Sequence, residues 1–151
     1  MNILFVCSAN IVRSFLAERL LGSMLKGRGR RDVTVSSAGL LDMKGAPADE
    51  VARQILAENG IDDEGHASRL LTEEMIEAAD LIIPMEKRQL QRIGAQFPDA
   101  IPKLRLLKSY LNHGSAESAE DVADPYRRSL FYYRLCYAEI SLAIGEMIKC
   151  I

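Results

Sequence analysis

Apolar residues along this chain occur in two alternating patterns, short β-like runs and longer segments with helical spacing. Residues 3–6 (ILFV) form a continuous apolar run, as expected of a strand buried on both faces. Residues 33–36 and 81–83 predict two further strands, and residues 104–107 predict a fourth. Strands that alternate with helices indicate an α/β fold with a parallel sheet.

The segments between these runs predict helices. After the first run, apolar residues recur at spacings of three and four, at Phe15, Leu16, Leu20, Leu21, Met24 and Leu25. Further helices are predicted at residues 47–59, at 87–95 and at 130–148. Residues 111–124 form a long polar stretch that predicts a loop, and long loops in compact domains usually carry function.

Composition limits the size of the fold and the class of partner. The chain has 151 residues, 48% of them hydrophobic, which suits one domain over residues 1–151 with a single core. A formal net charge of -2 gives no electrostatic reason to expect nucleic acid or an anionic membrane as a partner. No apolar stretch approaches the roughly 20 residues of a membrane span, and residues 3–6 are too few for a signal-peptide core. We therefore expect a cytoplasmic protein.

The cysteines argue against disulfides and metal. Cys7, Cys136 and Cys150 are odd in number and far apart, and they show no CxxC or Cys/His spacing of a zinc site. We expect three reduced thiols, no metal site and no cofactor.

The candidate chemistry lies in the stretch VCSANIVRS, residues 6–14, which joins the first predicted strand to the first predicted helix. In such a loop, backbone N–H groups and the helix dipole converge on an anion. The same field stabilises a thiolate at Cys7, which makes the sulfur nucleophilic. The planar fork of Arg13 can hold two phosphate oxygens at once. Ser14, predicted as the helix N-cap, can donate its hydroxyl to the sulfur. The alternative is an inert, buried Cys7 with Arg13 at the surface.

The sequence resembles the low-molecular-weight protein tyrosine phosphatase family over nearly its whole length. Besides VCSANIVRS, the matching segments are SAG from Ser37, GAPAD from Gly45, GID from Gly60, HASRLLTEE from His66, ADLII from Ala79 and DPYRRS from Asp124. The resemblance implies a four-stranded parallel sheet with helices on both faces and a phosphate-binding loop between strand one and helix one. It also implies metal-free hydrolysis of phosphotyrosine through a phosphocysteine.

Carried over by position, the resemblance implies that Cys7 is the nucleophile, Arg13 the phosphate clamp and Asp124 the general acid. The chemistry independently requires an acid, because the leaving oxygen needs a proton when the phosphoryl group transfers. On its residues alone, Asp124 before Pro125 would instead predict a structural turn.

The resemblance also implies the residues around these groups. The residues expected to bind substrate are Ser8, Ala9, Asn10, Ile11, Val12, Ser14, Met43 and Tyr126. Among these, Asn10 shapes the loop, and Tyr126 either lines the entrance or packs in a turn. Ser37 and His66 are expected to hydrogen-bond Asn10 from behind.

Three positions depart from the family pattern without removing a predicted catalytic group. Ala9 stands where members usually have glycine, and a positive φ there would strain alanine. Val12 replaces a common second cysteine, and Phe15 replaces a proline.

The residues around the pocket favour one substrate class over its alternatives. At the position of Ile11, the family's arginine phosphatases carry a residue that resembles threonine. A bulky apolar residue there is associated with tyrosine phosphatases, so Ile11 favours phosphotyrosine as the substrate. Met43 stands where animal members of the family place an aromatic residue, and the loop around it is short, as in bacterial members, so the resemblance indicates a bacterial enzyme. Related arsenate reductases need two further cysteines in the middle of the chain, and none lies between Cys7 and Cys136. A non-catalytic phosphate or phosphopeptide-binding module would need neither Cys7 nor Asp124.

The resemblance further implies the partners. The expected substrate is a phosphotyrosine protein, with bacterial tyrosine kinases of polysaccharide export as candidates. Inhibition by phosphate and by vanadate is also expected.

Overall fold

Three parallel strands form the sheet in this computed structural model, which describes residues 1–112 and 118–151. Strand β1 (Asn2–Cys7) lies in the centre, between β2 (Thr34–Gly39) and β3 (Leu81–Pro84). The register places Cys7 beside Gly39 and Val6 beside Pro84. All three strands therefore end at the same edge, with Cys7 at its centre.

Helices cover both faces of the sheet. They are α1 (Arg13–Gly27), α2 (Glu50–Glu58), α3 (Glu73–Ala78), α4 (Lys87–Gln96) and α5 (Leu130–Met147), with 3-10 helices at Pro98–Lys103 and Leu107–Asn112. No helix among the described residues is long and apolar enough to cross a membrane.

The alternation of side chains along β1 divides the core into two layers. Ile3, Phe5 and Cys7 face the larger layer, which contains the buried sides of α1, α2 and α5. Leu4 and Val6 face the smaller layer, with Ile82, Ile93 and Ala100 among its members. Strand β1 is therefore buried on both faces, which explains why its apolar run is uninterrupted.

The α/β architecture and the first three predicted strands are confirmed, but the predicted fourth strand at residues 104–107 is wrong. Leu104 makes a single parallel bridge to Ile82, and Arg105 N donates to Ile82 O over 3.0 Å. Pro84 occupies the position on β3 that would donate the next ladder hydrogen bond, and proline has no N–H. The ladder therefore stops, and the chain enters the second 3-10 helix at Leu107.

The boundaries of other elements also differ from the prediction. Helix α2 begins after Asp49 rather than at Pro47, because the Asp49 carboxylate caps the N–H groups of Val51 and Ala52. Helix α3 was not predicted, although Thr72 followed by two glutamates is a start signal. Of the predicted loop at 111–124, residues 111–112 belong to a 3-10 helix and residues 113–117 lie outside the described residues.

We predict that Gly39→Ala lowers the free energy of unfolding by about 1–3 kcal/mol, as measured by urea denaturation. A Cβ at Gly39 would lie 2.9 Å from Ser8 O and 3.0 Å from Ala9 C, so the loop after β1 would have to move. Gly22→Ala is the control, since a Cβ in that part of α1 meets nothing within 4 Å and alanine favours a helix by up to about 1 kcal/mol. Equal stability of Gly39→Ala and the wild type would contradict this account.

Candidate active site

Residues 8–12 form a loop, here called the anion loop, that connects β1 to α1 and wraps around the Cys7 sulfur. Cys7 is buried. Its Sγ accepts a hydrogen bond from Asn10 N over 3.3 Å and lies 3.0 Å from Ser14 Oγ. A backbone N–H and a side-chain hydroxyl group therefore converge on one sulfur.

Asn10 holds the anion loop in shape. Its φ of 58° lies in the left-handed region, which asparagine tolerates better than most residues. The side-chain Nδ2 donates to Ser14 Oγ over 2.8 Å and to Ser37 Oγ over 2.9 Å. Oδ1 accepts from Arg69 N over 3.0 Å, and the Asn10 carbonyl oxygen lies 2.7 Å from His66 Nε2. The strained position in this loop is therefore Asn10, while Ala9 has no positive φ.

The hydroxyl groups around Asn10 orient one another. Ser14 Oγ accepts from Asn10, so its own proton can be donated to the Cys7 sulfur. Ser37 Oγ also accepts from Asn10 and donates in turn to the Glu18 carboxylate. Ser14 is the second residue of α1 and Val12 is its N-cap, so the prediction of Ser14 as the cap is wrong. Its hydroxyl serves the sulfur instead.

Arg13 is 2% exposed and is held by acceptors on separate segments. Its Nη1 donates to Glu86 Oε1 over 2.6 Å and to Val122 O over 2.9 Å. Its Nη2 lies 3.6 Å from Asp124 Oδ2. Burial lowers the pKa of Arg13, but the charges on Cys7, Glu86 and Asp124 outweigh burial and hold that pKa above its ordinary value. Arg13 therefore remains a fixed cation next to the sulfur.

Asp124 is both a turn residue and a neighbour of Arg13. Its Oδ1 accepts from Tyr126 N over 3.1 Å, which is the local hydrogen bond of an Asx turn. About half of its side chain is exposed. The turn leaves Tyr126 beside the anion loop, with the Arg127 guanidinium 5.4 Å from the centre of its ring.

A cavity of about 230 Å³ opens above the Cys7 sulfur. It is lined by Cys7, Ser8, Ala9, Ile11, Val12, Arg13, Leu41, Met43, Asp124 and Tyr126. Arg13 and Asp124 are the charged residues of this lining, while Ile11, Met43 and Tyr126 supply apolar walls. Among the predicted substrate-binding residues, Asn10 and Ser14 lie behind this lining.

Sequence reasoning missed the residues that support the site from other segments. Glu86 binds Arg13 and caps α4 in a capping box with Gln89. Gln89 Oε1 accepts from Met85 N and Glu86 N, and its Nε2 donates to Ser8 Oγ over 3.2 Å. The Glu-x-x-Gln spacing before a helix is a signal for the cap. The partnerships with Arg13 and Ser8 span more than 70 residues and have no local signal.

Within residues 1–112 and 118–151, no group of three or more His, Cys, Asp or Glu side chains could hold a metal ion. Burial raises the pKa of Cys136 to about 12, so this thiol stays protonated at neutral pH.

A buried thiol in an anion loop, next to a fixed arginine and an accessible carboxyl group, defines a protein of the cysteine-dependent phosphatase class. Residues 2–151 match the family model described as low molecular weight phosphotyrosine protein phosphatase. The chain belongs to this family.

Individual relatives agree with the family. The chain is 36% identical over 148 residues to Etp, a low molecular weight protein-tyrosine-phosphatase of Escherichia coli K12, a match that covers 98% of this chain and 93% of Etp. A low molecular weight protein tyrosine phosphatase from T. tengcongensis superposes with a TM-score of 0.92 at 32% identity, covering 100% of this chain and 99% of that one. The YwlE arginine phosphatase from Geobacillus stearothermophilus superposes with a TM-score of 0.86 at 30% identity, covering 98% and 90%. The predicted family and its bacterial type are thus confirmed.

We predict that Glu86→Gln lowers the free energy of unfolding by about 1–3 kcal/mol, as measured by urea denaturation. The substitution keeps the shape of the side chain but leaves the buried Arg13 without its nearest carboxylate. Glu146→Gln is the control, because Glu146 pairs with Lys149 at a similar 2.7 Å but with both side chains well exposed. An exposed pair contributes less than about 1 kcal/mol. Equal losses in the two variants would argue against a structural dependence of Arg13 on Glu86.

Proposed function

We propose that this chain is a protein-tyrosine phosphatase in which residues 1–151 act as one domain. The observation that carries the proposal is the presence of Cys7, Arg13 and Asp124 around one cavity. A nucleophile, a phosphate clamp and an acid are the three groups that metal-free phosphoryl transfer through a cysteine requires.

In the first step, the Cys7 thiolate attacks phosphorus. An S–P bond forms while the bond between phosphorus and the tyrosyl oxygen breaks. Asp124 donates its proton to the leaving phenolate, which departs as the tyrosine hydroxyl. Arg13 and the N–H groups of the anion loop hold the remaining phosphate oxygens as charge redistributes.

In the second step, water hydrolyses the phosphocysteine. The Asp124 carboxylate accepts a proton from the water whose oxygen attacks phosphorus. The S–P bond breaks, inorganic phosphate leaves, and the thiolate is regenerated with a hydrogen bond from Ser14. Asp124 thus acts first as an acid and then as a base.

The apolar walls of the cavity favour phosphotyrosine over phosphoarginine. Ile11, Met43 and Tyr126 offer apolar surface to a flat phenyl ring, whereas a guanidinium needs hydrogen-bond acceptors along its length. Arginine phosphatase activity is the second candidate, because the YwlE arginine phosphatase has the same fold at 30% identity.

We further expect inhibition by inorganic phosphate and vanadate, which occupy the anion loop, and no loss of activity with EDTA. A tyrosine kinase of polysaccharide export is the expected kind of protein substrate.

Asp124→Asn should lower kcat by about a hundredfold or more for aryl phosphates with poor leaving groups. For good leaving groups such as p-nitrophenolate the loss should be much smaller, because these groups depart without a proton. Steady-state kinetics over a series of aryl phosphates test this prediction. Asp99→Asn, at an exposed position outside the cavity lining, is the control, and Cys7→Ser should abolish turnover throughout. A decrease in the kcat of Asp124→Asn that is the same for good and poor leaving groups would contradict the role of Asp124 as the acid.

Ile11→Thr should raise the kcat/KM ratio of phosphoarginine to phosphotyrosine peptides by about tenfold or more, because it replaces an apolar wall with a hydroxyl group. Phosphate release from the two peptides measures the ratio. Ile101→Thr changes an isoleucine that does not line the cavity and should leave the ratio unchanged. A wild-type enzyme that prefers phosphoarginine would overturn the tyrosine assignment in favour of the second candidate.

A further inference from the structure

A second cavity, of about 340 Å³, adjoins the catalytic one on the side of α4. It is lined by Ser8, Leu40, Leu41, Arg88, Gln89 and Arg92. Ser8 and Leu41 line both cavities, and Leu41 N donates to Ser8 O over 2.9 Å. A hydrogen-bonded pair of residues therefore separates the two cavities.

Two arginines give this second cavity a positive charge that the protein leaves largely uncompensated. Arg88 and Arg92 lie one turn apart on α4 and are exposed. Arg88 is 86% exposed and lies 3.7 Å from Glu86 Oε2, but the other oxygen of that carboxylate already holds Arg13. Arg92 has no ion-pair partner in the part of the chain that the structure describes. Both guanidinium groups are therefore available to an external anion.

These charges oppose the stability of their own helix. Like charges four residues apart on a helix repel one another. Lys87 and Arg88 begin α4 without an acidic residue in the first turn, although the positive end of the helix dipole disfavours cations there. Glu86 at the N-cap, which also lies near Arg88, offsets part of this cost. Arg92 has no such carboxylate among the described residues, so a bound anion would relieve the repulsion between the two arginines.

The anchoring of α4 keeps the arginines in a constant position relative to the catalytic site. Gln89, which is buried between them, donates to Ser8 Oγ of the anion loop over 3.2 Å. The same side chain caps the start of α4. A group bound at Arg88 and Arg92 would therefore sit in a fixed relation to a phosphotyrosine bound over Cys7.

We propose that Arg88 and Arg92 form an accessory subsite for an acidic side chain close to the phosphotyrosine in the substrate polypeptide. The ligand is an oxyanion, carboxylate or phosphate, for which the planar arginine fork is suited. This proposal rests on the proposed function, and it specifies the substrate of that phosphatase as a phosphotyrosine within an acidic segment. Because the acidic side chain takes no part in the chemistry, it should lower KM more than it raises kcat.

The test compares phosphotyrosine peptides that differ only at the two positions on each side of the phosphotyrosine, with alanine or glutamate there. We expect kcat/KM to be about threefold to tenfold higher for the glutamate peptide at low salt, as for a few exposed charge pairs. Raising the salt concentration to about 0.5 M should remove most of this ratio by screening. In Arg88→Gln/Arg92→Gln the ratio should fall to about one. Arg92→Gln alone, which keeps the contact between Arg88 and Glu86, should give an intermediate ratio.

The matched control is Arg28→Gln/Arg31→Gln, which removes the same charge from exposed arginines beyond the far end of α1. It should keep the wild-type ratio, because the subsite is local rather than an effect of net charge. Each ratio is measured within one variant, so a general loss of activity cancels.

Peptide binding to the Cys7→Ser variant, measured by calorimetry, provides a readout that needs no turnover. It also allows a third phosphotyrosine peptide, in which phosphoserine replaces the flanking glutamates. Tighter binding of the phosphoserine peptide than of the glutamate peptide would identify phosphate as the ligand, and the reverse would identify carboxylate. If Cys7→Ser binds the acidic peptides more tightly than the alanine peptide, and Arg88→Gln/Arg92→Gln removes this preference, the subsite is supported. This holds even if no peptide is hydrolysed by the wild type, in which case only the proposed function fails. Turnover with a wild-type ratio near one, or a ratio that the double substitution leaves intact, would overturn the subsite alone.

Discussion

The site depends on placing the sulfur of Cys7 and the charged guanidinium of Arg13 together at the buried end of the central strand. Burying a charge is costly unless hydrogen bonds and opposite charges replace water. Asn10 meets the first requirement, because its left-handed backbone directs its own N–H at the sulfur while its side chain orients Ser14. The loop conformation then depends on residues that hold Asn10, namely Ser37, His66 and Arg69.

Arg13 meets the second requirement, and its surroundings explain how a cation can remain buried. Glu86 and Asp124 compensate its charge from different segments. Asp124 is the more exposed and more distant of the two carboxyl groups, which leaves it free to face a substrate. Glu86 is closer and less exposed, so its contact belongs to the framework of the site. One arginine thus links α1, the end of β3 and the turn that carries Asp124.

Membership of the family and the choice of substrate depend on different parts of this structure. In the proposed mechanism, the anion loop, Arg13 and Asp124 act on the phosphoryl group, which is the same for every phosphate ester. The side chains that could distinguish one substrate from another lie on the walls of the catalytic cavity, at Ile11, Met43 and Tyr126, and in the adjoining cavity, at Arg88 and Arg92. Relatives with closely similar backbones can therefore carry names for different substrates, as the T. tengcongensis tyrosine phosphatase and the YwlE arginine phosphatase do.

The sequence by itself determined the features with a local cause. A continuous apolar run predicted the buried β1, helical spacing predicted α1 and α5, and the order of motifs indicated both the family and the loop with Cys7 and Arg13. Tertiary structure decided what depends on distant partners. Pro84 ended the ladder that residues 104–107 would have joined, Glu86 paired with Arg13 across 73 residues, and Gln89 tied α4 to Ser8. Local patterns record the conformation of neighbours in the chain, whereas these contacts arise only when the sheet brings its strand ends to one edge.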